Sequence, residues 1–374
     1  MRKVAIIGAG HAGVEAAFTL AKAGVQVTLF TNEPCLPYFR PRLIGVAFGQ
    51  TASTAIAIKP EAAYAQAGIT LCHEAVDRLD VQEKRVNGCT YDGVVLAQGS
   101  RPFVPPFKGE GATRVQTLWN MADALALNDS VKPGMKVAII GGGVLGLEAA
   151  LRAAMAGLQV TVIEAAPALL GGVLGEGAEG VLRATLEAKG ITLKIGAAVA
   201  EVLADAVVLA DGSRIEAALV LCSAGARPNA GLATAAGLPI AEGVRTNPDL
   251  SITSGVYAAG DLAYPSKQRP VCAVMRAMRM GALAANNLLA EFDGRPGTLW
   301  KEPRLPLFMK VEDVEFHTIG DVRAQDVTEE RIDDQTDARI WKSVLRRGEQ
   351  VVGLRWVGTR ADFATWEKQL PPQS

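Results

Sequence analysis

The chain has 374 residues, with 38 Lys and Arg against 39 Asp and Glu, so its formal net charge is −1. This balance gives no argument for a nucleic-acid partner or for an acidic membrane surface. The apolar content of 49%, with 39 Gly, is typical of α/β layers in two or three domains. The first strand begins at once and apolar runs are short, so the sequence predicts a cytoplasmic protein with no membrane span.

The chain opens with a strand, a glycine-rich turn, a helix and a second strand. Residues 4–7 are a short apolar run suited to a buried parallel strand, and residues 12–23 are an Ala-rich helix that Gly24 ends. Residues 25–30 return as the second strand. This order, with Gly-x-Gly-x-x-Gly at the turn, is the fingerprint of a dinucleotide-binding unit.

Each glycine of this turn has an expected role. Gly8 lets the chain turn without a clash at Cβ, and Gly10 lets backbone N–H groups approach a pyrophosphate. Gly13 lets the helix pack closely on the strand. The positive end of the helix dipole then favours the charge of the bound phosphates.

Short strands follow before the chain leaves this unit. Residues 71–79, 84–88 and 90–96 are predicted to form an accessory hairpin layer. Residues 105–111 hold two Pro and two Gly, which favour extended and turn conformations. They therefore mark a link to the next unit.

The next unit repeats the first. Residues 136–167 align with residues 3–34 without a gap, and 18 of the 32 positions are identical. Gly141, Gly143 and Gly146 occupy the places of the first three glycines. Two such units, each in a strand, turn, helix and strand frame, predict two bound dinucleotides.

The residues that follow the two return strands assign the ligands. Glu164 follows the second return strand, at the position where a carboxylate accepts hydrogen bonds from ribose hydroxyls and repels a 2′-phosphate. This favours NADH over NADPH. The first unit has Thr31 at that position, so Glu33, two residues further on, is its candidate ribose ligand.

The remaining pattern predicts a second hairpin layer and a small C-terminal α+β part. The hairpin layer is expected over residues 199–203, 206–209 and 217–222. Later elements are expected to be a strand over 255–259, an amphipathic helix over 271–290, strands over 339–345 and 351–357, and a helix over 362–370.

Cysteine and histidine spacing gives no sign of a dithiol or of a metal site. The cysteines are Cys35, Cys72, Cys89, Cys222 and Cys272, and the histidines are His11, His73 and His317. No C-x-x-C pair occurs, and no histidine lies near paired cysteines. The sequence therefore predicts no bound metal.

Four further segments carry a resemblance to a known family. They are residues 33–43 (EPCLPYFRPRL), 96–102 (LAQGSRP), 225–229 (GARPN) and 257–261 (YAAGD). In that order they resemble the segment beside the isoalloxazine ring, the outgoing crossover, the return crossover and the second flavin motif of FAD-dependent pyridine nucleotide oxidoreductases. The similarity is to the branch that holds the NADH-rubredoxin and ferredoxin reductases. It implies FAD and NADH as cofactors.

The resemblance also implies the fold class and the domains. The fold is expected to be α/β, with two Rossmann-like dinucleotide-binding domains, for FAD and for NAD, plus a small C-terminal α+β domain. The FAD-binding domain is expected over residues 1–112 and 236–297. The NAD-binding domain is inserted over 113–235, and the C-terminal domain covers 298–374.

Further site residues are implied by position in these motifs. Beyond the glycine loops, Glu33 and Glu164, the expected cofactor-binding residues are Arg40, Gln98, Gly99, Gly225, Gly260 and Asp261. Glu148 matches the Glu of the family's G-G-G-x-x-G-x-E pattern and is expected near the nicotinamide. Many relatives carry a Lys near the flavin that this chain lacks, so Arg42 and Lys310 are candidates for its catalytic role.

The implied activity is an NADH-dependent FAD reductase that passes electrons to a small iron-sulfur or rubredoxin-type protein. One alternative is a coenzyme A disulfide reductase or NADH oxidase type of enzyme that uses Cys35, although this residue lies one position away from the family's catalytic Cys. The other is a redox-sensing NADH-binding flavoprotein with low turnover. A basic stretch is either a docking site for an acidic partner or a solvated helix face, and its members are Lys267, Arg269, Arg276 and Arg279.

Overall fold

The first repeat forms the centre of a six-stranded sheet in the computed structural model, which describes residues 1–265, 272–335 and 339–372. The strand order is Ser251–Thr253, Val256–Ala258, Gly93–Leu96, Lys3–Ile7, Gln26–Phe30 and Ile69–Cys72. Neighbouring strands are parallel except for the first pair. Val4, Ala5 and Ile6 are fully buried, as expected for a central parallel strand covered on both faces.

The second repeat forms the centre of a five-stranded parallel sheet. Its order is Thr192–Ile195, Gln159–Glu164, Lys136–Ile140, Leu219–Cys222 and Val115–Gln116. In the sequence these strands lie between two groups of strands of the first sheet. Ser100–Pro102 and Ala226–Pro228 pair antiparallel, so the outgoing and returning segments run side by side.

Both predicted hairpin layers exist, but their extents were wrong. The first layer consists of Leu79–Asp80, Arg85–Val86 and Cys89–Thr90, and the second of Val199–Val202, Ala206–Leu209 and Arg214–Glu216. Residues 93–96 and 219–222, predicted as hairpin strands, belong to the two parallel sheets instead. Both segments are buried along their whole length, which is the pattern of a parallel strand rather than of a half-exposed hairpin.

The C-terminal part is an antiparallel sheet. Its strand order is Leu307–Val311, Val314–Gly320, Gln350–Val357, Ile340–Arg347 and Thr328–Gln335. The sheet packs on the second unit, where the Trp341 ring fills the space that a side chain at Gly177 would need. The predicted α/β class, with two dinucleotide-type sheets and a small α+β part, is confirmed.

The helices cover the sheets and complete their cores. Their bounds are His11–Lys22, Leu43–Ala47, Glu61–Gln66, Met121–Ser130, Val144–Met155, Gly175–Glu187, Gly231–Ala235, Val274–Phe292 and Arg360–Glu367. Short 3-10 turns are Arg40–Arg42, Ser53–Ile56, Ala112–Arg114, Leu169–Gly172 and Gly260–Leu262. A short strand pair joins Val244–Arg245 to Ala263–Tyr264. Among the helices of the described ranges, none is both long and apolar enough to cross a bilayer.

Candidate active site

A cavity of about 1060 Å³ lies between the two glycine-rich units. The first unit lines it with residues 7–12 and with parts of 30–44 and 97–103, and the second unit lines it with 143–145 and Glu148. Typical pockets for one small ligand measure about 300–1,000 Å³. The cavity therefore has room for the reacting ends of two nucleotides.

Most of the predicted site residues meet in this cavity. Those that line it are Gly8, Gly10, Glu33, Arg40, Gln98, Gly99, Gly143, Glu148, Gly225, Gly260 and Asp261. Those that do not are Gly13, Arg42, Gly141, Gly146, Glu164 and Lys310. The second group divides into residues that shape the glycine loops and residues that lie elsewhere.

The first glycine loop has the geometry that its sequence requires. Gly8 has a φ of 107°, and a Cβ built on it would lie 2.4 Å from the Ala97 carbonyl oxygen. A Cβ on Gly13 would lie 1.8 Å from the Gly8 carbonyl oxygen. The helix His11–Lys22 begins after Gly10, and no side chain of the described residues caps it. Its first amides are therefore available to a phosphate beside the cavity.

The second loop repeats this geometry and adds a carboxylate. A Cβ on Gly141 would lie 2.3 Å from the Ser223 carbonyl oxygen. Glu164 accepts the amide N–H of Gly142 at 2.6 Å and that of Ala166 at 2.7 Å. These two bonds fix the carboxylate beside the loop, and its remaining lone pairs are free to accept ribose hydroxyls.

Glu33 lies in the cavity wall but makes many protein contacts. Its carboxylate accepts the Tyr38 hydroxyl at 2.9 and 2.7 Å and the Met121 amide N–H at 3.1 Å. The Arg40 guanidinium lies 3.5 Å from the same carboxylate. A carboxylate with this many partners has little remaining capacity for a ribose.

The two flavin motifs predicted from the sequence meet at Asp261. The Ser100 hydroxyl, on the outgoing crossover, donates to the Asp261 carboxylate at 2.8 Å. The Trp119 indole N–H donates to the Ser100 carbonyl oxygen at 2.7 Å, and the Arg40 guanidinium donates to the Trp119 carbonyl oxygen. This network orients the carboxylate of Asp261, which lines the cavity.

Two buried polar atoms at the cavity lack a partner among the described residues. They are His11 Nε2, in the first turn of the first helix, and Gln98 Oε1, on the outgoing crossover. Burial, with a smaller contribution from the Arg40 charge, lowers the pKa of His11 to about 4. Unpartnered buried polar atoms are rare in proteins, so these two atoms fit a polar ligand such as a dinucleotide.

Glu148 lies where the sequence places it, at the second unit's face of the cavity. Burial raises the pKa of its carboxyl group, and the nearby Arg152 charge opposes this only in part. The Arg152 guanidinium donates to Gln50 Oε1 at 2.9 Å, so it is held away from a direct bond with Glu148. The protonated form of Glu148 is therefore favoured more than for an exposed Glu.

Cys35 lines the cavity and packs, partly buried, against one of the hydrophobic cores. Burial and the Glu33 charge raise the pKa of its thiol, while Arg40 opposes them. A thiol with a raised pKa gives little thiolate, which is the nucleophilic form. This is the environment of a packing cysteine.

The two candidates for the family's missing Lys lie outside the cavity. Arg42 is exposed, and its guanidinium lies 5.8 Å from the centre of the Phe39 ring. Lys310 is half exposed, and its ammonium lies 3.2 Å from the Glu315 carboxylate. The structure brings neither cation to Glu148.

A family model described as pyridine nucleotide-disulphide oxidoreductase matches residues 2–281. The chain belongs to this family. A rubredoxin-NAD(+) reductase of Pseudomonas putida is 34% identical to this chain over 276 residues. The match covers 70% of this chain and 71% of the relative. An NAD(P)H nitrite reductase of Bacillus subtilis is 30% identical over 96% of the chain but only 46% of its own length.

Solved structures agree with this membership. The ferredoxin reductase for the CYP199A2 system of Rhodopseudomonas palustris superposes with a TM-score of 0.86 at 25% identity, over 98% of this chain and 94% of that one. The resemblance predicted from the motifs is therefore confirmed, and the chain is a reductase of a flavoprotein family whose cofactors are FAD and NAD(H).

Proposed function

We propose that the chain is an NADH-dependent FAD reductase that delivers electrons to a small redox protein of the rubredoxin or ferredoxin type. The observation that carries this proposal is that both glycine-rich units line one cavity. The named relatives that reduce rubredoxin or ferredoxin support the class of acceptor. A cytoplasmic location remains a prediction.

We propose that FAD binds to the first unit. The phosphates would lie at the uncapped start of His11–Lys22, with Gly8, Gly10 and Gly13 allowing the close approach. Asp261 would accept a ribityl hydroxyl, while Gly99, Gly225 and Gly260 leave room for the backbone to approach the ligand. Arg40 and the unpartnered Oε1 of Gln98 would complete the polar contacts.

NADH would bind to the second unit in the matching way. Its phosphates would lie at the start of Val144–Met155, whose preceding residue is Gly143 and which no described side chain caps. Gly141 and Gly146 shape this loop, and Glu164 would accept the ribose hydroxyls. A 2′-phosphate there would meet the Glu164 charge, so NADH would be favoured over NADPH.

The mechanism assigns positioning roles to the chain's own residues. Bound FAD would supply the acceptor for a hydride from NADH and release the two electrons singly. Glu148 would hold the nicotinamide carboxamide, donating or accepting a hydrogen bond according to its protonation. Val144, Leu145 and Ile7 would exclude water from the reacting ends. Arg42 and Lys310 are not included among the reacting groups, because neither lines the cavity.

We propose the domain boundaries expected from the sequence, with residues 1–112 and 236–297 in the FAD-binding domain and 113–235 in the NAD-binding domain. The strand composition of the two parallel sheets supports this division. Residues 298–374 would form the C-terminal domain, whose described strands make a separate antiparallel sheet.

The basic stretch gives only weak support to a docking surface. Lys267 and Arg269 lie outside the described residues. Arg276 is buried, with 2% of its surface exposed, and its guanidinium lies 2.6 Å from the Glu302 carboxylate. Arg276 is therefore part neither of a docking surface for an acidic partner nor of a solvated helix face.

The test compares acceptors and donors on the purified chain. NADH oxidation should be followed with rubredoxin, ferredoxin, coenzyme A disulfide and oxygen in parallel, and NADPH should be tried in place of NADH. Fast turnover with an iron-sulfur or rubredoxin carrier supports the proposal. Preference for coenzyme A disulfide would favour the Cys35 alternative, and slow reduction with every acceptor would favour a redox-sensing flavoprotein.

A further inference from the structure

Glu33 joins the flavin-side segment to the first helix of the second unit. Glu33 comes shortly after the strand Gln26–Phe30 of the first sheet in sequence. Its carboxylate nevertheless accepts the amide N–H of Met121, in the second unit, at 3.1 Å. Met121 is the first residue of Met121–Ser130, which follows the second-sheet strand Val115–Gln116 closely in sequence. The contact spans 88 residues of sequence.

The electrostatics of this contact are favourable. A helix N-terminus carries partial positive charge and unsatisfied N–H groups, and a carboxylate there is stabilising. Asn120 and Asp123 already form a capping box at this helix, with the Asn120 side chain accepting the Asp123 amide at 2.8 Å. The capping box does not use the amide N–H of Met121. Glu33, from the other unit, accepts this N–H and so brings a second carboxylate, beside that of Asp123, to the start of the helix.

Neighbouring residues hold Glu33 in this position. The Tyr38 hydroxyl donates to its carboxylate, and the Tyr38 ring is buried with the Arg40 guanidinium 5.4 Å from its centre. Arg40 in turn donates to the carbonyl oxygen of Trp119, two residues before Met121. We name these five residues, Glu33, Tyr38, Arg40, Trp119 and Met121, the interdomain clasp.

The clasp also reaches the flavin motif. The Trp119 indole N–H donates to the Ser100 carbonyl oxygen, and the Ser100 hydroxyl donates to Asp261. The start of Met121–Ser130 is therefore tied both to the segment 33–40 and to the residues expected to hold the ribityl chain. The same helix contributes Ala124 and Leu127 to a hydrophobic core that residues of both units share.

We propose that Glu33 is a positioning residue rather than a ribose ligand, and that through the clasp it sets how closely the nicotinamide site approaches the flavin site. This inference rests on the proposed function. Thr31 and Asn32 line the same cavity and remain as polar side chains for the adenosine ribose of FAD. A displacement of about 1 Å between reacting groups costs about 100-fold in rate, so the clasp would act on the hydride step.

The experiment uses a pair of substitutions at Met121. Met121→Pro removes the amide N–H that Glu33 accepts, and proline is well tolerated at the first position of a helix. Asn120, the preceding residue, has φ −132° and ψ 176°, which suits a residue before proline. Met121→Ala keeps the N–H and removes the side chain, so it is the matched control. Glu33→Gln removes the charge and is the second variant.

Four quantities are measured for each protein: the affinity of the apoprotein for FAD, the affinity for NADH, the limiting rate of flavin reduction in anaerobic stopped flow, and the unfolding midpoint of the apoprotein. The proposal expects Met121→Pro and Glu33→Gln to lower the limiting rate about 10- to 100-fold. Both affinities should stay within about twofold of the wild type, and Met121→Ala should keep the wild-type rate. The apoprotein's unfolding midpoint should fall in both variants, and the double variant should fall by less than the sum of the two single falls, because Glu33 and Met121 are hydrogen-bonded to each other.

Opposite results overturn the proposal. A Glu33→Gln protein that loses FAD affinity but keeps its limiting rate would identify Glu33 as the ribose ligand. Equal loss in Met121→Ala and Met121→Pro would assign the effect to side-chain packing. A wild-type chain that binds no FAD would refute the proposed function itself, whereas a wild-type chain that NADH reduces, with all variants equally fast, would refute only the clasp.

Discussion

The Ser100 hydroxyl donates a 2.8 Å hydrogen bond to the Asp261 carboxylate, and the two residues are 161 positions apart in sequence. The whole second parallel sheet lies between them in the chain. The flavin-side pocket is therefore completed by residues that lie before and after the second unit in the sequence. Ser100 was not among the residues predicted from the sequence, although it lies in the outgoing crossover motif.

The first prediction concerns this bond. Ser100→Ala should weaken FAD binding by about tenfold, because a hydrogen bond to a charged group contributes about 1.5–3 kcal/mol. Asp261 would lose the partner that orients it toward the ribityl chain. Ser213→Ala is the control, since Ser213 makes a similar 2.7 Å bond to Asp211 on an exposed hairpin. Fluorescence titration of the apoproteins with FAD measures both, and equal affinities for all three proteins would contradict the prediction.

The second prediction concerns His11. Burial and the Arg40 charge lower its pKa to about 4 from 6.5, so the unfolded chain takes up a proton at a higher pH than the folded chain. The contribution of His11 to the free energy of unfolding is therefore full above about pH 6.5 and is lost as the pH falls toward 4. Denaturant unfolding of the wild type and His11→Gln at several pH values measures the difference between them. That difference should shrink on acidification, and parallel curves would refute the assignment.

The third prediction concerns Glu148, whose pKa burial raises above its usual 4.5. A raised pKa means that the Glu148 carboxyl group holds its proton more firmly in the folded chain than in the unfolded chain. The contribution of Glu148 to the free energy of unfolding is therefore present below pH 4.5 and is lost as the pH rises through the folded-state pKa. Glu148→Gln has no such loss, and its stability relative to the wild type should increase with pH. Glu15→Gln, at the equivalent position of the first repeat, is the control for removing a carboxylate. A stability difference that does not change with pH would count against a buried, perturbed Glu148.

The fourth prediction concerns Cys35. Because burial and Glu33 raise the pKa of its thiol, Cys35 should react slowly with iodoacetamide at neutral pH. Cys35→Ser should keep NADH-dependent reduction of the carrier protein within about twofold of the wild type, since the thiol is not expected to take part in the chemistry. Loss of turnover in a variant that still binds FAD would support the thiol-using alternative instead.

The glycine loops and their partners could be predicted from the sequence because their spacing is local. Gly8 and Gly141 occupy positive-φ turns that the Gly-x-Gly-x-x-Gly pattern requires, and Glu148 follows its loop at a fixed distance on one helix. Local pattern also identified the return strands, since each is a short apolar run with β-branched residues that follows the Gly at the end of a helix.

Residues whose roles depend on distant contacts could not be predicted in this way. Trp119 and Ser100 meet across 19 residues, and Glu33 meets Met121 across 88 residues, so no spacing rule connects them. Lys310 was selected by resemblance alone, and the C-terminal sheet directs it to Glu315. The strand Thr328–Gln335 was not predicted because its side chains are almost all exposed, which leaves no apolar alternation to read.

The central claim is that two separate nucleotide pockets face one cavity, and paired glycine substitutions test it most directly. Gly8→Ala places a Cβ 2.4 Å from the Ala97 carbonyl oxygen, and Gly141→Ala places one 2.3 Å from the Ser223 carbonyl oxygen. We expect Gly8→Ala to lose FAD while it keeps its affinity for NADH, and Gly141→Ala to keep FAD while NADH no longer bleaches it. Loss of the same ligand from both variants, or a wild-type chain that cannot be reconstituted with FAD, would contradict the account.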